Sequence, residues 1–140
     1  MNQNLIILPV AAQGALTFVV LFLMAGRRRA AIISGKTRIK DIALGQSGWP
    51  DDATKAARSF ANQLETPVLF YVACAFALIT KQVDYLLLGL AWGYVALRVA
   101  HAVVHVGANP VMLRFRIFVV SVFLLMALWL LVVLRATGVL

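Results

Sequence analysis

Eight polar or charged side chains interrupt the long apolar runs of this sequence, and their spacing follows the helical repeat. They are Arg58, Asn62, Glu65, Arg98, His101, His105, Arg114 and Arg116. The first three are spaced i, i+4 and i+7 and the next three i, i+3 and i+7, so each triplet lies on one side of a helix. A charged group within a spanning helix is costly, and it usually faces protein or water and serves a function.

The chemistry of these side chains suits a small anionic ligand that carries carboxylates. Arginine binds carboxylates through two parallel hydrogen bonds and keeps its charge when partly buried. Asn62 can donate and accept toward a peptide-like backbone, and Glu65 can bind an ammonium group or orient an arginine. Glutathione offers carboxylates, an amine, peptide bonds and a thiol. An arginine near that thiol would favour the thiolate, which is the nucleophilic form.

Each residue also has a simpler explanation. Arg58 alone could extend along the apolar surface to the membrane interface, and Glu65 with Arg98 could form a structural ion pair. The two histidines could hydrogen-bond across the bundle, or ligate a metal from one helix face, although no third ligand is evident and we predict no metal site. The two arginines after residue 110 could be ordinary charges of the cytoplasmic membrane surface. Separate accidents explain the joint pattern less well.

The composition indicates which elements position these side chains. Of the 140 residues, 63% are hydrophobic and 13% charged, whereas soluble domains are about 45–50% apolar and about 25% charged. The apolar runs are continuous, which favours spanning helices over the alternating strands of a barrel. We therefore expect an all-α protein, with residues 1–140 forming one transmembrane four-helix domain. The predicted helices cover about 5–27, 53–80, 85–107 and 111–135.

Local signals refine these boundaries. Arg27, Arg28 and Arg29 are expected to end the first helix, and Asp51 or Asp52 to cap the second. A proline at position 67 should kink the second helix in its middle. The Gly/Pro turn at residues 107–110 should end the third. The single cysteine, at position 74 in an apolar stretch, is interpreted as a packing residue.

The distribution of charge predicts the topology. The formal net charge is +8, but the basic residues cluster where apolar runs stop, which argues against nucleic-acid binding and for contact with membrane lipids. The connector at residues 27–40 and the start of the last helix lie on one side, which the positive-inside rule places in the cytoplasm. No signal peptide is evident. A bacterial inner membrane fits these features.

The polar stripes also resemble a known family. The pattern Arg58-x-x-x-Asn62-x-x-Glu65-x-Pro67 occurs together with Arg98-Val99-Ala100-His101-x-x-x-His105, and Arg114 follows after a Gly/Pro turn. This combination resembles the membrane-associated proteins in eicosanoid and glutathione metabolism (MAPEG), and it is most similar to the prostaglandin-E-synthase-like and bacterial branches. The resemblance covers the whole chain, with its four helices and long first connector.

The resemblance implies a homotrimer of four-helix subunits that binds glutathione between neighbours near the cytoplasmic side. The positions that match glutathione-contacting residues are Arg58, Asn62, Glu65, Arg98 and His101. Arg114 matches the arginine held to stabilise the glutathione thiolate, and one arginine of residues 27–29 matches a first-helix contact. His105 stands where eicosanoid-forming relatives have a tyrosine, and Phe115 where the prostaglandin-synthase branch has a serine.

Three functions remain open on the sequence. The first is a glutathione-dependent transferase or peroxidase that acts on lipophilic electrophiles dissolved in the bilayer. The second is a non-catalytic membrane protein that keeps the fold and binds another thiol or a lipid, which the residues at His105 and Phe115 favour. The third is a small transporter or channel. The polar residues stop at one leaflet, which counts against a path through the membrane.

Overall fold

The computed structural model describes residues 1–43 and 48–139, and all regular structure in these ranges is helical. The described residues form five α-helices: α1 (Ile7–Ile33), α2 (Asp51–Gln63), α3 (Thr66–Ile79), α4 (Tyr85–Val106) and α5 (Val111–Ala136). Short 3₁₀ helices cover Gln3–Ile6 and Ile39–Asp41. Residues 44–47 of the predicted first connector, and residue 140, lie outside the described ranges.

Four segments are long and apolar enough to cross a membrane, and they form a four-helix bundle. They are Gln3–Ile33, Asp51–Ile79, Tyr85–Val106 and Val111–Ala136, so that α2 and α3 together make the second span. A helix rises about 1.5 Å per residue, and about 20 residues cross the hydrocarbon core. The predicted all-α membrane fold is confirmed.

The first helix is longer than predicted. The prediction that Arg27, Arg28 and Arg29 end it is wrong, since α1 continues to Ile33. Arginine, alanine and isoleucine are all compatible with a helix interior, so the three arginines do not stop it. The helix ends instead before Gly35, whose φ of 71° lies in the left-handed region that glycine tolerates best.

The second span is broken, not kinked as predicted. The structure ends α2 at Gln63 and starts α3 at Thr66, which places Pro67 in the first turn of α3. There the missing amide donor of proline costs nothing, and proline disfavours helical geometry in the residue before it. The break leaves backbone carbonyls at the end of α2 available, and one of them, on Asn62, accepts a side-chain hydrogen bond from α4.

The structure begins α2 two residues earlier than predicted, and the prediction that Asp51 or Asp52 caps it is wrong. Pro50 occupies the N-cap position, and Asp51 and Asp52 lie in the first turn. Their charge is still favourable at the positive end of the helix dipole. The predicted end of the third spanning helix agrees with the structure, since Gly107 is the C-cap of α4.

An apolar core holds α3, α4 and α5 together. Phe70 and Tyr94 are fully buried and stack with ring centroids 4.7 Å apart. Leu87 of α4 and Leu128 of α5 are also fully buried in this core. Cys74 packs there as predicted, and it is a free, buried cysteine.

The connection between α3 and α4 is fixed by polar contacts. The carboxylate of Asp84 accepts a hydrogen bond from the backbone amide of Leu87 and caps α4. The Arg135 guanidinium, which forms an ion pair with Asp84 at 2.8 Å, holds the pKa of that carboxyl below its usual value. The ends of α4 and α5 are thereby joined on the side of the bundle opposite the polar stripes.

A buried amide pair, which the sequence analysis did not predict, joins α1 to α2. Gln13 Nε2 donates to Gln63 Oε1 at 2.9 Å, and both side chains are almost fully buried. An unpaired amide in an apolar interior is costly, so each glutamine depends on the other. Gln63 is the last residue of α2, so the pair attaches the end of α2 to α1.

Replacing one of these glutamines should destabilise the bundle more than replacing both. Gln13→Leu or Gln63→Leu alone leaves a buried amide without its partner, at a cost of about 1–3 kcal/mol. In the double variant no amide is left, so we expect a stability near that of the wild type. Thermal unfolding in detergent of the four proteins checks this. Additive losses would show that the two side chains are not coupled.

Candidate functional site

The polar stripe of α4 lies inside the bundle. Arg98 is fully buried, His101 is 3% exposed and His105 is 6% exposed. Charged and polar groups this deeply buried are stable when other groups satisfy their hydrogen bonds. The hydrogen-bond partners of the stripe therefore show what it is built to hold.

The partner of Arg98 is Asn62, at the end of α2. Arg98 Nη2 donates to the Asn62 carbonyl oxygen at 3.0 Å and to Asn62 Oδ1 at 2.6 Å. Asn62 Nδ2 in turn donates to Glu65 Oε2 at 3.0 Å. The alternative of a direct Glu65–Arg98 ion pair is not what the structure has, since Asn62 lies between the two. Asn62 can make all these bonds because α2 ends beside it.

Several buried nitrogens of the α4 stripe have no hydrogen-bond partner within the described residues. They are Nε and Nη1 of Arg98, Nδ1 of His101 and Nδ1 of His105. The two histidine rings contact each other edge to face at 5.5 Å, and His101 also contacts Phe118. A buried polar atom without a partner costs free energy. The stripe therefore has spare hydrogen-bonding capacity that a ligand could satisfy.

Beside this stripe lies a cavity of about 300 Å³ between α2, α4 and α5. Its polar lining brings together Asn62, His101, His105 and Arg114, and its apolar lining consists of Val111, Met112, Phe115 and Phe118. Arg114 is half-buried in the first turn of α5. The predicted catalytic arginine and three predicted binding residues thus share one cavity. Arg98 lies about one helical turn before His101 on the same stripe.

Two predicted site residues lie elsewhere in the single chain. Arg58 is exposed and lines a different cavity of about 260 Å³, together with Thr54, Ala57 and Ala61. Glu65 is exposed and contacts Asn62, but it does not line the cavity that holds Arg114. One chain alone therefore assembles only part of the predicted set.

The comparison with protein families shows which family the chain belongs to. The model of the MAPEG family matches residues 6–134, which is nearly the whole chain. The chain belongs to the MAPEG family. Among curated proteins and among solved structures, no significant match was found. Membership makes this an integral, multi-pass membrane protein and suggests a glutathione-related activity in the membrane.

The first-helix arginines of this MAPEG protein make contacts within the chain. Arg27 Nη1 donates to the Asp52 carbonyl oxygen at 2.9 Å, and both of its terminal nitrogens donate to the Val106 carbonyl oxygen at 3.1 Å. The Arg28 guanidinium lies 4.9 Å from the centroid of the Trp49 ring. Arg29 is exposed. In the single chain, Arg27 thus ties the end of α4 to α1 and α2.

The hydrogen-bond partner of Arg114 is a turn residue that was not predicted from the sequence as part of the site. Asn109 Oδ1 accepts a hydrogen bond from Arg114 Nη1 at 2.6 Å. The sequence indicated a turn at residues 107–110, but spacing alone could not show that a turn side chain reaches α5.

The donor set of this MAPEG protein fits an anionic peptide-like ligand. Arg98 and Arg114 provide charge, and the unpaired ring nitrogens of His101 and His105 provide donors or acceptors. Within the described residues, no group of three or more His, Cys, Asp or Glu residues could hold a metal ion. The available chemistry is therefore anion binding with hydrogen bonding.

Proposed function

We propose that this protein is a membrane-embedded, glutathione-dependent transferase or peroxidase that acts on lipophilic electrophiles. The observation that carries the proposal is the single cavity in which Asn62, His101, His105 and Arg114 meet. Unpaired, buried polar atoms lie beside it on Arg98 and both histidines. A polar ligand would satisfy such groups, and family membership makes glutathione the first candidate.

The roles follow from position and charge. Arg98, Asn62, His101 and His105 hold the tripeptide by hydrogen bonds and ion pairing. Arg114 places a full positive charge in the cavity, where the dielectric is lower than in water, so it favours the ionised sulfur. Glutathione supplies the nucleophile of the reaction, and Arg114 lowers the free energy of its reactive form.

The apolar half of the cavity suits the second substrate. Met112 and Phe115 line it and are 64% and 58% exposed, on a helix that is long and apolar enough to span the bilayer. Their exposed surfaces meet lipid or another subunit. A lipophilic electrophile can therefore reach the cavity sideways from the membrane without crossing water.

We further propose that the working unit is a homotrimer in which neighbouring chains complete each site. A cavity of about 300 Å³ is at the small end for a ligand site, because such sites hold about 300–1,000 Å³. Arg58 and Glu65 are exposed polar residues of the second span, which would be unfavourable if they faced lipid. A second copy packed on that span would bury both and bring them to the site.

Conjugation of a chlorinated nitroaromatic compound tests the catalytic proposal. Purified protein with glutathione should form the thioether, and the rate should fall strongly in Arg114→Ala. The electrophile is apolar and reacts with a thiolate, as the cavity requires. If the wild type binds glutathione but no electrophile tried gives conjugate or peroxide reduction, the catalytic proposal is wrong.

A mixed-subunit experiment tests the shared site. Arg58→Ala and Arg114→Ala chains are produced separately and together, with different affinity tags to isolate mixed assemblies. If the two arginines act from different chains, mixed trimers contain some intact sites and recover part of the activity that both pure variants lack. No recovery, in assemblies shown to be mixed, would place both arginines in one chain's site.

The second candidate function is a non-catalytic MAPEG protein that binds another thiol or a lipid. It is favoured by His105 and Phe115, which line the cavity where catalytic relatives are expected to carry hydroxyl groups. Binding of glutathione with no thiolate would support it. In this case too, the Arg98–Asn62 arrangement would hold the ligand.

We also propose that the basic ends of α1, α2 and α5 face the cytoplasm of a bacterial cell, and that the chain belongs to the prostaglandin-E-synthase-like and bacterial branch. The positive-inside rule supports the orientation. Cysteine introduced at the exposed Lys36 should be protected from an impermeant maleimide in intact cells and react after lysis. The native cysteine, Cys74, is buried and gives little background.

A further inference from the structure

We infer that Asn109 is a positioning residue, which holds the guanidinium of Arg114 in the cavity without reducing its charge. This inference rests on the proposed function, because it concerns how the proposed thiolate-stabilising arginine is kept in place. Asn109 lies in the turn between α4 and α5 and does not line the cavity itself. It acts only through Arg114.

The turn is well suited to hold a side chain still. Asn109 has a φ of 58°, in the left-handed region where asparagine is among the most tolerated non-glycine residues. Its backbone amide donates to the Val104 carbonyl oxygen at 3.0 Å, which closes the end of α4. Its side-chain oxygen is then free to accept from Arg114 at 2.6 Å.

Two neighbouring helices anchor this turn. Arg27 of α1 donates to the Val106 carbonyl oxygen, and Lys55 of α2 places its ammonium nitrogen 3.4 Å from the Gly107 carbonyl oxygen. The turn is therefore tied to α1 and α2 through its backbone, and to α5 through the side chain of Asn109. A fixed acceptor limits the positions that the long Arg114 side chain can take.

The neutrality of the acceptor matters for the chemistry. An amide oxygen engages one of the five guanidinium donors and leaves the positive charge uncompensated. A carboxylate at the same place would bind Arg114 more tightly, but it would cancel the charge that favours the thiolate. Among the described residues, no carboxylate forms an ion pair with Arg114. An asparagine at position 109 thus orders the Arg114 side chain and leaves its positive charge available to the ligand.

Asn109→Asp separates a positioning role from a merely structural one. Aspartate keeps the shape and the acceptor, so the thermal stability of the ligand-free protein should stay the same or rise. The apparent pKa of the bound glutathione thiol should rise by about one unit, because a nearby carboxylate opposes a thiolate. That is about a tenfold loss of thiolate wherever the thiol is mostly protonated. If Asn109 does not hold Arg114 close to the thiol, the thiolate absorbance will not change.

Asn109→Gly tests the positional component with the turn backbone preserved. Glycine adopts a positive φ without strain but provides no acceptor. Arg114 becomes less ordered, so we expect kcat to fall by about tenfold, because small displacements of a reacting group have large effects on rate. The Kd of glutathione should change less than twofold. Ala108→Gly, at the exposed preceding position, is the matched control for turn flexibility and should behave as the wild type.

The outcomes distinguish the inference from the proposed function. A wild type that binds no glutathione, or binds it only as the thiol, overturns the proposed function before any variant is compared. A wild type that shows a thiolate signal, with the same signal in Asn109→Asp and an unchanged kcat in Asn109→Gly, overturns the inference alone. Loss of thiolate in Asn109→Asp at unchanged thermal stability supports it.

Discussion

Replacing Arg114 with alanine is expected to leave glutathione bound but with its thiol protonated. Arg114 provides the positive charge among the residues that line the cavity of α2, α4 and α5, while Asn62, His101 and His105 remain to hold the peptide. Removing a preorganised group that stabilises developing or reactive negative charge costs about 10²–10³ in kcat. The thiolate absorbance of the bound ligand in the ultraviolet should disappear, while calorimetry still detects binding.

Arg116→Ala is the matched control for this experiment. Arg116 lies two residues further along α5, is exposed, and does not line the cavity. The substitution removes the same charge from the same helix, so it separates the local effect of Arg114 from a general loss of positive potential at the membrane surface. If both variants lose the thiolate equally, the role assigned to Arg114 is wrong.

Replacing Arg98 with methionine should weaken glutathione binding far more than it destabilises the ligand-free protein. Arg98 is fully buried, yet Nε and Nη1 have no partner within the described residues. The substitution removes a buried guanidinium with unused donors, which favours the variant, but it also takes the Nη2 donor away from two oxygens of Asn62. These effects oppose each other, so we expect only a modest loss of stability. The Kd of glutathione should rise by about a hundredfold or more, since a buried charge that pairs with a ligand contributes about 2–5 kcal/mol when truncated.

The combination of these two effects identifies a binding group. Replacing a residue kept for folding alone lowers stability and leaves affinity unchanged, whereas replacing one kept for a ligand lowers affinity out of proportion to stability. Arg135→Met is the matched control, because Arg135 pairs with Asp84 at the opposite end of the bundle. It should leave the Kd unchanged. A marked loss of thermal stability in Arg98→Met, with binding retained, would show that Arg98 is structural.

The fold could largely be predicted from the sequence, because a membrane restricts the secondary structures that a spanning segment can adopt. Long apolar runs must be helices or barrel strands, and continuous runs leave only helices. The boundary errors have local causes. Arginine is a good helix former, so Arg27 did not end α1. Pro67 was read as interrupting one helix, but its ring is accommodated more easily at the start of a new one.

The part of the site that could be predicted is the part that depends on the periodicity of a single helix. The spacing of Arg98, His101 and His105 placed them on one face, and the structure buries all three. Periodicity does not show which faces of different helices meet, so it could not separate Arg58 from the cavity of Arg114. That information lies in the packing between helices.

Contacts made by turns and by uncharged side chains were the hardest to predict from the sequence. Gln13 is a polar residue in the apolar first run, and an intramembrane polar residue is a signal worth following. Its partner, Gln63, lies 50 positions away and could not be named without coordinates. Asn109 was predicted only as a turn residue. The sequence contains nothing that predicts its hydrogen bond to Arg114.

The central claim is that this MAPEG protein binds glutathione as the thiolate in the cavity beside the α4 stripe. Calorimetric titration of the purified wild type with glutathione, at neutral pH in two buffers of different ionisation enthalpy, tests it most directly. A free thiol has a pKa of about 8.5, so binding as the thiolate must release up to about one proton per site. We expect saturable binding with that release. No binding, or binding without proton release, would contradict it.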